Sequence, residues 1–258
     1  MATRFDSRHK PMASTGWMPK LGLGRKSWAN RSMKFSELFY SIQGEGQLIG
    51  IPSVFFRTSF CNLRCIWCDT PYTSWQPENK EISVEESVAT ILGFNCQHTV
   101  ITGGEPFIQT EDLISLCHLL TERGQHITIE TNATVFAEVE ANLISMSPKL
   151  ENSSPPADNR YFGQHQRERI NRSVIQRFLA RHSCQVKFVV DSPEDLTEIQ
   201  DLQAEIEIPH ETIVLMPQGV RPDQIQDKQT WLIEICKTHG YRYSPRLHLD
   251  IWGNRRGV

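Results

Sequence analysis

Cys61-Asn62-Leu63-Arg64-Cys65-Ile66-Trp67-Cys68-Asp69-Thr70 crowds three cysteines into eight residues with the spacing C-x3-C-x2-C. Three thiolates can reach three irons of a cubane iron–sulfur cluster if the backbone wraps around it. The fourth iron is then left without a protein ligand and open to chemistry. Electron-transfer clusters take four cysteines, and a closed zinc site takes four ligands in a tetrahedron. A lone triplet therefore reads as a site that binds something further. The plainer alternatives are a zinc knuckle that borrows a His or a distant Cys, and three unrelated buried thiols.

Outward from this loop the chain alternates strand and helix. Residues 53–58, rich in Val and Phe, form a strand that delivers the chain into the cysteines. Before it, residues 35–42 make an opening strand, and Gln43-Gly44-Glu45-Gly46 makes a loop whose glycines let backbone approach a ligand closely. Residues 1–32 show no sustained period and read as a disordered extension, with Met33 as an alternative first residue. Downstream, Ser83 and Glu86 make a capping box for a helix through Leu92 that Gly93 ends. Residues 99–102 are a buried strand stopped by Gly103-Gly104-Glu105-Pro106, and Thr110 caps the next helix. Strands are expected over 126–131, 143–146, 186–190 and 213–216, and helices over 171–182, from Ser192-Pro193, and over 229–239. Residues 151–169, polar and containing Pro and Asn, read as an insertion loop.

Strand–helix alternation at this spacing implies parallel pairing through right-handed crossovers. About six such units predict an α/β fold, a partial, open parallel barrel of (β/α)6 type. In such a barrel functional groups gather at the C-terminal ends of the strands. The cysteine loop, Gly103-Gly104-Glu105-Pro106, Glu130-Thr131-Asn132, Ser147-Pro148-Lys149 and Met216-Pro217-Gln218-Gly219 all fall there.

Composition sets bounds around this reading. With 258 residues, 39% hydrophobic, 22% charged and a formal net charge of -3, one α/β domain is expected. Bulk charge favours neither nucleic acid nor membrane. No apolar run approaches a transmembrane length, and no secretory layout opens the chain, so a cytoplasmic location is expected. Seven cysteines, three of them crowded together, suit a reducing compartment with metal-bound thiolates. Cys96, Cys117, Cys184 and Cys236, scattered among apolar residues, read as buried small hydrophobes.

The triplet, with an aromatic residue just before its third cysteine, resembles the signature of the radical S-adenosylmethionine (SAM) family. The resemblance implies a [4Fe-4S] cluster on Cys61, Cys65 and Cys68, with the amino and carboxylate groups of SAM on the open iron. It places Trp67, Cys68, Asp69, Gly104, Glu105, Ser147, Pro148, Lys149 and Gln218 at SAM, with Gly104 and Glu105 at its amino acid end. Residues 33–258 would form the radical SAM domain. A protein residue as radical carrier is not needed, and the family's external one-electron reductant is of flavodoxin or ferredoxin type.

Ser41-Ile42-Gln43-Gly44-Glu45-Gly46, Arg57, Cys68-Asp69-Thr70 and Ser244-Pro245-Arg246-Leu247-His248 further resemble the 7-carboxy-7-deazaguanine synthase family. That family makes the 7-deazaguanine core of queuosine and archaeosine. The implied reaction converts 6-carboxy-5,6,7,8-tetrahydropterin to 7-carboxy-7-deazaguanine with release of ammonia. It begins when a 5′-deoxyadenosyl radical takes a hydrogen from the carbon bearing the carboxylate, and SAM is regenerated. Ile42, Gln43, Gly44, Glu45, Arg57, Thr102 and His248 would bind the pterin, and Thr70 would be a ligand of Mg2+. Arg57 offers a planar fork suited to the carboxylate, while Gln43 and Glu45 match the amidine edge and ring nitrogens. A homodimer is expected by the same resemblance. The rivals are a glycyl-radical activating enzyme, which shares the triplet, and a non-catalytic iron–sulfur or zinc-binding scaffold.

Overall fold

Val54, Phe55 and Phe56 sit mid-strand in β2 (Pro52–Thr58), and all three are buried. Burial of successive residues means that both faces are covered, as interior strands of a parallel sheet require. The computed structural model describes residues 31–258. Antiparallel to β2 lies β1 (Ser32–Ile42), and antiparallel to β1 lies β3 (Lys80–Ser83). From β2 onward the pairing is parallel, through β4 (His98–Gly103), β5 (His126–Thr131), β6 (Leu143–Met146) and β7 (Cys184–Val190). It continues to β8 (Ile213–Pro217) and the two-residue β9 (Arg242–Tyr243). The sheet order is β3-β1-β2-β4-β5-β6-β7-β8-β9, and its two end strands do not pair. The open parallel barrel expected from the sequence is the observed architecture, with parallel strands β2, β4, β5, β6, β7 and β8, although β5 passes to β6 through a loop without the expected helix.

Helices cover the outer face. In α3 (Thr110–Thr121), Leu113, Leu116 and Leu120 are fully buried at spacings of three and four, one stripe against the sheet. α2 (Val84–Gly93), α5 (Arg172–Arg181) and α6 (Asp195–Ile206) bury similar stripes, and α7 (Pro222–His239) runs between β8 and β9. Each fully buried Leu or Ile contributes about 1.5–3 kcal/mol. Shorter helices are α1 (Pro71–Ser74) after the cysteines, α4 (Phe162–Glu168) and α8 (Leu247–Trp252).

Several local expectations need correction. Residues 151–169 are folded, with a 3-10 turn at Glu151–Ser153 and α4; the stretch is polar because it packs through hydrogen bonds, which a search for apolar periodicity passes over. Gly93 is the last residue of α2 and not the left-handed residue past its end, a conformation that Asn95 takes (φ 52°). Thr110 is the first residue of α3 and donates back to the Phe107 carbonyl instead of capping it. The helix expected from residue 229 begins at Pro222, because its first turns are polar apart from buried Ile225. The helix expected from Ser192-Pro193 begins at Asp195, whose carboxylate accepts from the Asp191 and Ser192 amides.

The expected extension over 1–32 lies outside the described residues except at its end. There Ser32 pairs with Ser83, and Arg31 forms a 2.8 Å ion pair with Glu111. Met33 is fully buried, so the contacts of the fold begin before it.

Candidate functional site

Side chains alternate across a strand, and here that alternation separates core from cavity. Phe56, Ile101, Ile129, Ile144, Phe188 and Leu215 point into the helix-covered core. Their neighbours Arg57, Thr102, Glu130, Ser145, Lys187 and Met216 line a cavity of about 480 Å3 on the opposite face. Cys61, Cys65 and Cys68 line the same cavity, and all three thiols are free.

The cysteine loop is held at its entry by the Gly103-Gly104 turn. Gly104 N–H donates to the Thr58 carbonyl at 3.1 Å, and Glu105 N–H donates to the Phe60 carbonyl at 2.9 Å. A Cβ on Gly104 would stand 2.0 Å from the Phe60 oxygen. The glycine therefore lets the loop backbone cross this turn, beyond the ligand approach expected of it. Both glycines line the cavity, but Glu105 does not. Its Oε1 accepts from Phe107 N–H (3.0 Å) and Thr131 Oγ1 (2.8 Å), and its Oε2 from Asn132 N–H (2.7 Å). Burial pushes this carboxyl up to about 7. Its side chain thus ties two strand ends together from a buried position behind the cavity lining.

The donor set fits a cubane cluster. Leu63 N–H donates to Cys61 Sγ at 3.4 Å and Asn132 Nδ2 to the same sulfur at 3.8 Å, the outer contacts that tune thiolate ligands. Among the described residues no three His, Cys, Asp or Glu gather closely enough for a single metal ion. Without bound metal, burial pushes the Cys61 and Cys65 thiols up to about 12, and iron must displace their protons on binding.

Of the other residues assigned to SAM, Trp67, Asp69, Ser147 and Lys149 line the cavity. Lys149 Nζ donates to the Ser147 carbonyl and Oγ, each at 2.8 Å, and sits 5.9 Å from the Trp67 ring centroid. Pro148 and Gln218 do not line it. Pro148 is buried, and the Gln218 side chain accepts from Lys228 Nζ at 3.0 Å.

All the residues assigned to the pterin line the cavity, as does Thr70. Gln43 Nε2 donates to Glu130 Oε1 at 3.1 Å, and Thr102 Oγ1 donates to Glu130 Oε2 at 2.8 Å. Arg57 Nε donates to Glu37 Oε2 at 2.8 Å, and the Tyr72 hydroxyl donates to the same oxygen. Thr70 Oγ1 lies 3.3 Å from Thr73 Oγ1 and 3.8 Å from Cys68 Sγ. Gly44 is pressed against His248, where a Cβ would stand 2.1 Å from Nδ1.

Glu45 is the electrostatic centre. It pairs with Lys187 Nζ and, at 2.9 Å, with Arg246 Nε, and the other end of that guanidinium pairs with Asp69. Burial alone would raise the Glu45 carboxyl, but Lys187, Arg246 and His248 outweigh it and hold the group well below the usual carboxylate range. The sequence reading missed Lys187, Arg246, Glu130 and Glu37. Arg246 and Glu130 lay inside quoted motifs without a role, whereas Lys187 and Glu37 are lone charges in strands with no motif around them.

Comparison with known proteins extends this description. The family described as the Radical SAM superfamily matches residues 55–150. A 7-carboxy-7-deazaguanine synthase of Halobacterium salinarum is 39% identical over 236 residues, covering 86% of this chain and 91% of the relative. One of Rhodopirellula baltica is 41% identical over 230 residues, covering 88% and 89%. The crystal structure of QueE from Escherichia coli superimposes with a TM-score of 0.66 at 26% identity, over 88% of this chain and 99% of that one.

Proposed function

We propose, from the premise that this chain belongs to the 7-carboxy-7-deazaguanine synthase family of radical SAM enzymes, that it converts 6-carboxy-5,6,7,8-tetrahydropterin to 7-carboxy-7-deazaguanine with release of ammonia. The observation that carries this reading is that the three cysteines and the residues matched to the pterin line one cavity. A glycyl-radical activating enzyme acts on a protein backbone and gives no reason for Gln43, Glu45 and Arg57 to converge there.

Cys61, Cys65 and Cys68 would hold the [4Fe-4S] cluster, with Trp67, Gly104, Ser147 and Lys149 beside SAM. When bound, these groups supply the 5′-deoxyadenosyl radical that takes a hydrogen from the substrate. The chain's own residues bind and orient. Arg57, its Nε fixed by Glu37, presents the rest of its guanidinium to the substrate carboxylate. Glu45, kept ionised, accepts from the N–H groups of the pterin's amidine edge, and Gln43 and Thr102 border the ring beside Glu130. Phe39, Phe55, Val189 and Met216 line the cavity as apolar wall and limit water around the reacting carbon. Thr70 is the proposed Mg2+ ligand, a hydroxyl that substrate oxygens and water would complement. No helix among the described residues is long and apolar enough to cross a membrane. A cytoplasmic location, a homodimer and a flavodoxin- or ferredoxin-type reductant belong to the same reading.

The test uses substrate deuterated at the carbon bearing the carboxylate. Deuterium should appear in the adenosyl 5′ carbon. Turnover with every deuteron retained in product or lost to water contradicts the proposed hydrogen abstraction.

A further inference from the structure

The segment between β6 and α5 grips the cysteine loop on both sides of its middle ligand. Arg64 N–H donates to His165 Nδ1 at 3.1 Å, and Ile66 N–H donates to the Ser153 carbonyl at 2.9 Å. The backbone N–H groups of both residues flanking Cys65 are thus committed to the same segment. The contacts extend outward, with Trp67 Nε1 donating to the Asn152 carbonyl at 2.9 Å and Asn62 Nδ2 to Glu168 Oε2 at 3.2 Å. The Arg64 guanidinium lies 4.9 Å from the Tyr161 ring centroid.

His165 and Ser153 are 1% and 0% exposed, and their hydrogen bonds run in one direction. A backbone N–H can only donate, so His165 Nδ1 must be the bare nitrogen and Nε2 must carry the proton. Nε2 lies 2.9 Å from Ser153 Oγ, and that hydroxyl donates onward to the Leu150 carbonyl at 2.6 Å. Every donor in the relay Arg64, His165, Ser153, Leu150 has one acceptor, so a single tautomer fits. The cysteine loop has no helix or strand between Cys61 and Cys68. Ordering such a stretch costs about 1–2 kcal/mol per residue, and here the β6–α5 segment supplies the constraint that regular structure does not.

We propose that His165, backed by Ser153, is a positioning residue that fixes the backbone on both sides of Cys65 in its cluster-binding shape before iron arrives. The inference rests on the radical SAM reading above and adds a role for residues 151–169, which that reading leaves unused.

The test compares full-length wild type, His165→Phe, His165→Asn, Ser153→Ala and, as a control for core destabilisation, the buried-core variant Leu202→Ala. Each is reconstituted anaerobically at limiting iron and characterised by iron per chain and by the EPR signal of the reduced cluster with and without SAM. Far-UV circular dichroism first establishes that each variant folds. His165→Phe keeps ring volume but removes both hydrogen bonds, and its iron occupancy should fall on the order of tenfold. Asn Oδ1 reproduces the Nδ1 acceptor, so His165→Asn should keep most of the iron. Ser153→Ala should lose iron several-fold, and Leu202→Ala should load fully.

Wild-type iron and an unchanged EPR signal in His165→Phe overturn the proposal, as does equal loss in His165→Asn or in Leu202→Ala. If His165→Phe does not fold, Ser153→Ala decides, and wild-type loading in that variant is the contrary result. A wild-type chain that takes up no iron overturns the parent reading and this inference together. A loaded wild type beside an unaffected His165→Phe overturns this inference alone.

Discussion

Arg246 Nε lies 2.9 Å from Glu45 Oε1, and the same guanidinium also pairs with Asp69. One buried cation thereby joins the loop before β2 to the residue that follows the third cysteine. Replacing Arg246 with Ala leaves Glu45 with Lys187 alone and takes from Asp69 its ion-pair partner. The apo protein should lose about 3–5 kcal/mol, the usual consequence of stranding a buried charge. Urea denaturation measures this, and a loss below about 1 kcal/mol would mean that the network is not held as described.

The same network sets a pH dependence. Glu45 is held below the usual carboxylate range in the folded protein, while an unfolded Glu titrates near about 4.3. As pH falls below that value the unfolded chain binds the proton first, so stability falls with it. The contribution is complete above about pH 5 and drains away toward the lower folded pKa. Glu45→Gln should therefore flatten the acid limb of the stability curve. Parallel curves for the two proteins below pH 5 would contradict the assignment.

Arg57 should act on the substrate carboxylate and not on the ring. Arg57→Ala is expected to weaken binding of the carboxylated pterin by about 10–100-fold, the range for a charge-assisted hydrogen bond. Binding of the same pterin without its carboxylate should barely change. Isothermal titration with both ligands separates the terms, and equal losses for the two would place Arg57 elsewhere.

Thr70→Ala should reduce magnesium stimulation of turnover while leaving iron content as in wild type. A magnesium titration of initial rates beside an iron assay checks this, and identical magnesium dependence in the two proteins would remove Thr70 from the metal site.

Which features were legible follows from how each is encoded. β2 and the parallel strands were readable because two-sided burial demands unbroken runs such as Val54-Phe55-Phe56. The cysteine triplet was readable because its chemistry is local in sequence. His165 was not, since α4 is a short polar helix whose buried face consists of hydrogen bonds to Arg64 and Ser153. Lys187 looked like a stray polar residue in a strand, and its meaning depends on Glu45, 142 residues away. Glu105 was read from its motif alone, and its bonds to Thr131 and Asn132 depend on a strand end 26 residues away. Residues whose role is set by distant partners are the ones that single-sequence reasoning passes over or misassigns.

The central claim is that one cavity brings cluster, SAM and carboxylated pterin together. The most direct measurement is an anaerobic assay of reconstituted protein with dithionite, SAM, magnesium and 6-carboxy-5,6,7,8-tetrahydropterin, with products identified by mass spectrometry. The expected result is 7-carboxy-7-deazaguanine together with an equal amount of ammonia. Cleavage of SAM with the pterin recovered unchanged would contradict the substrate, and a protein that assembles no cluster would contradict the account as a whole.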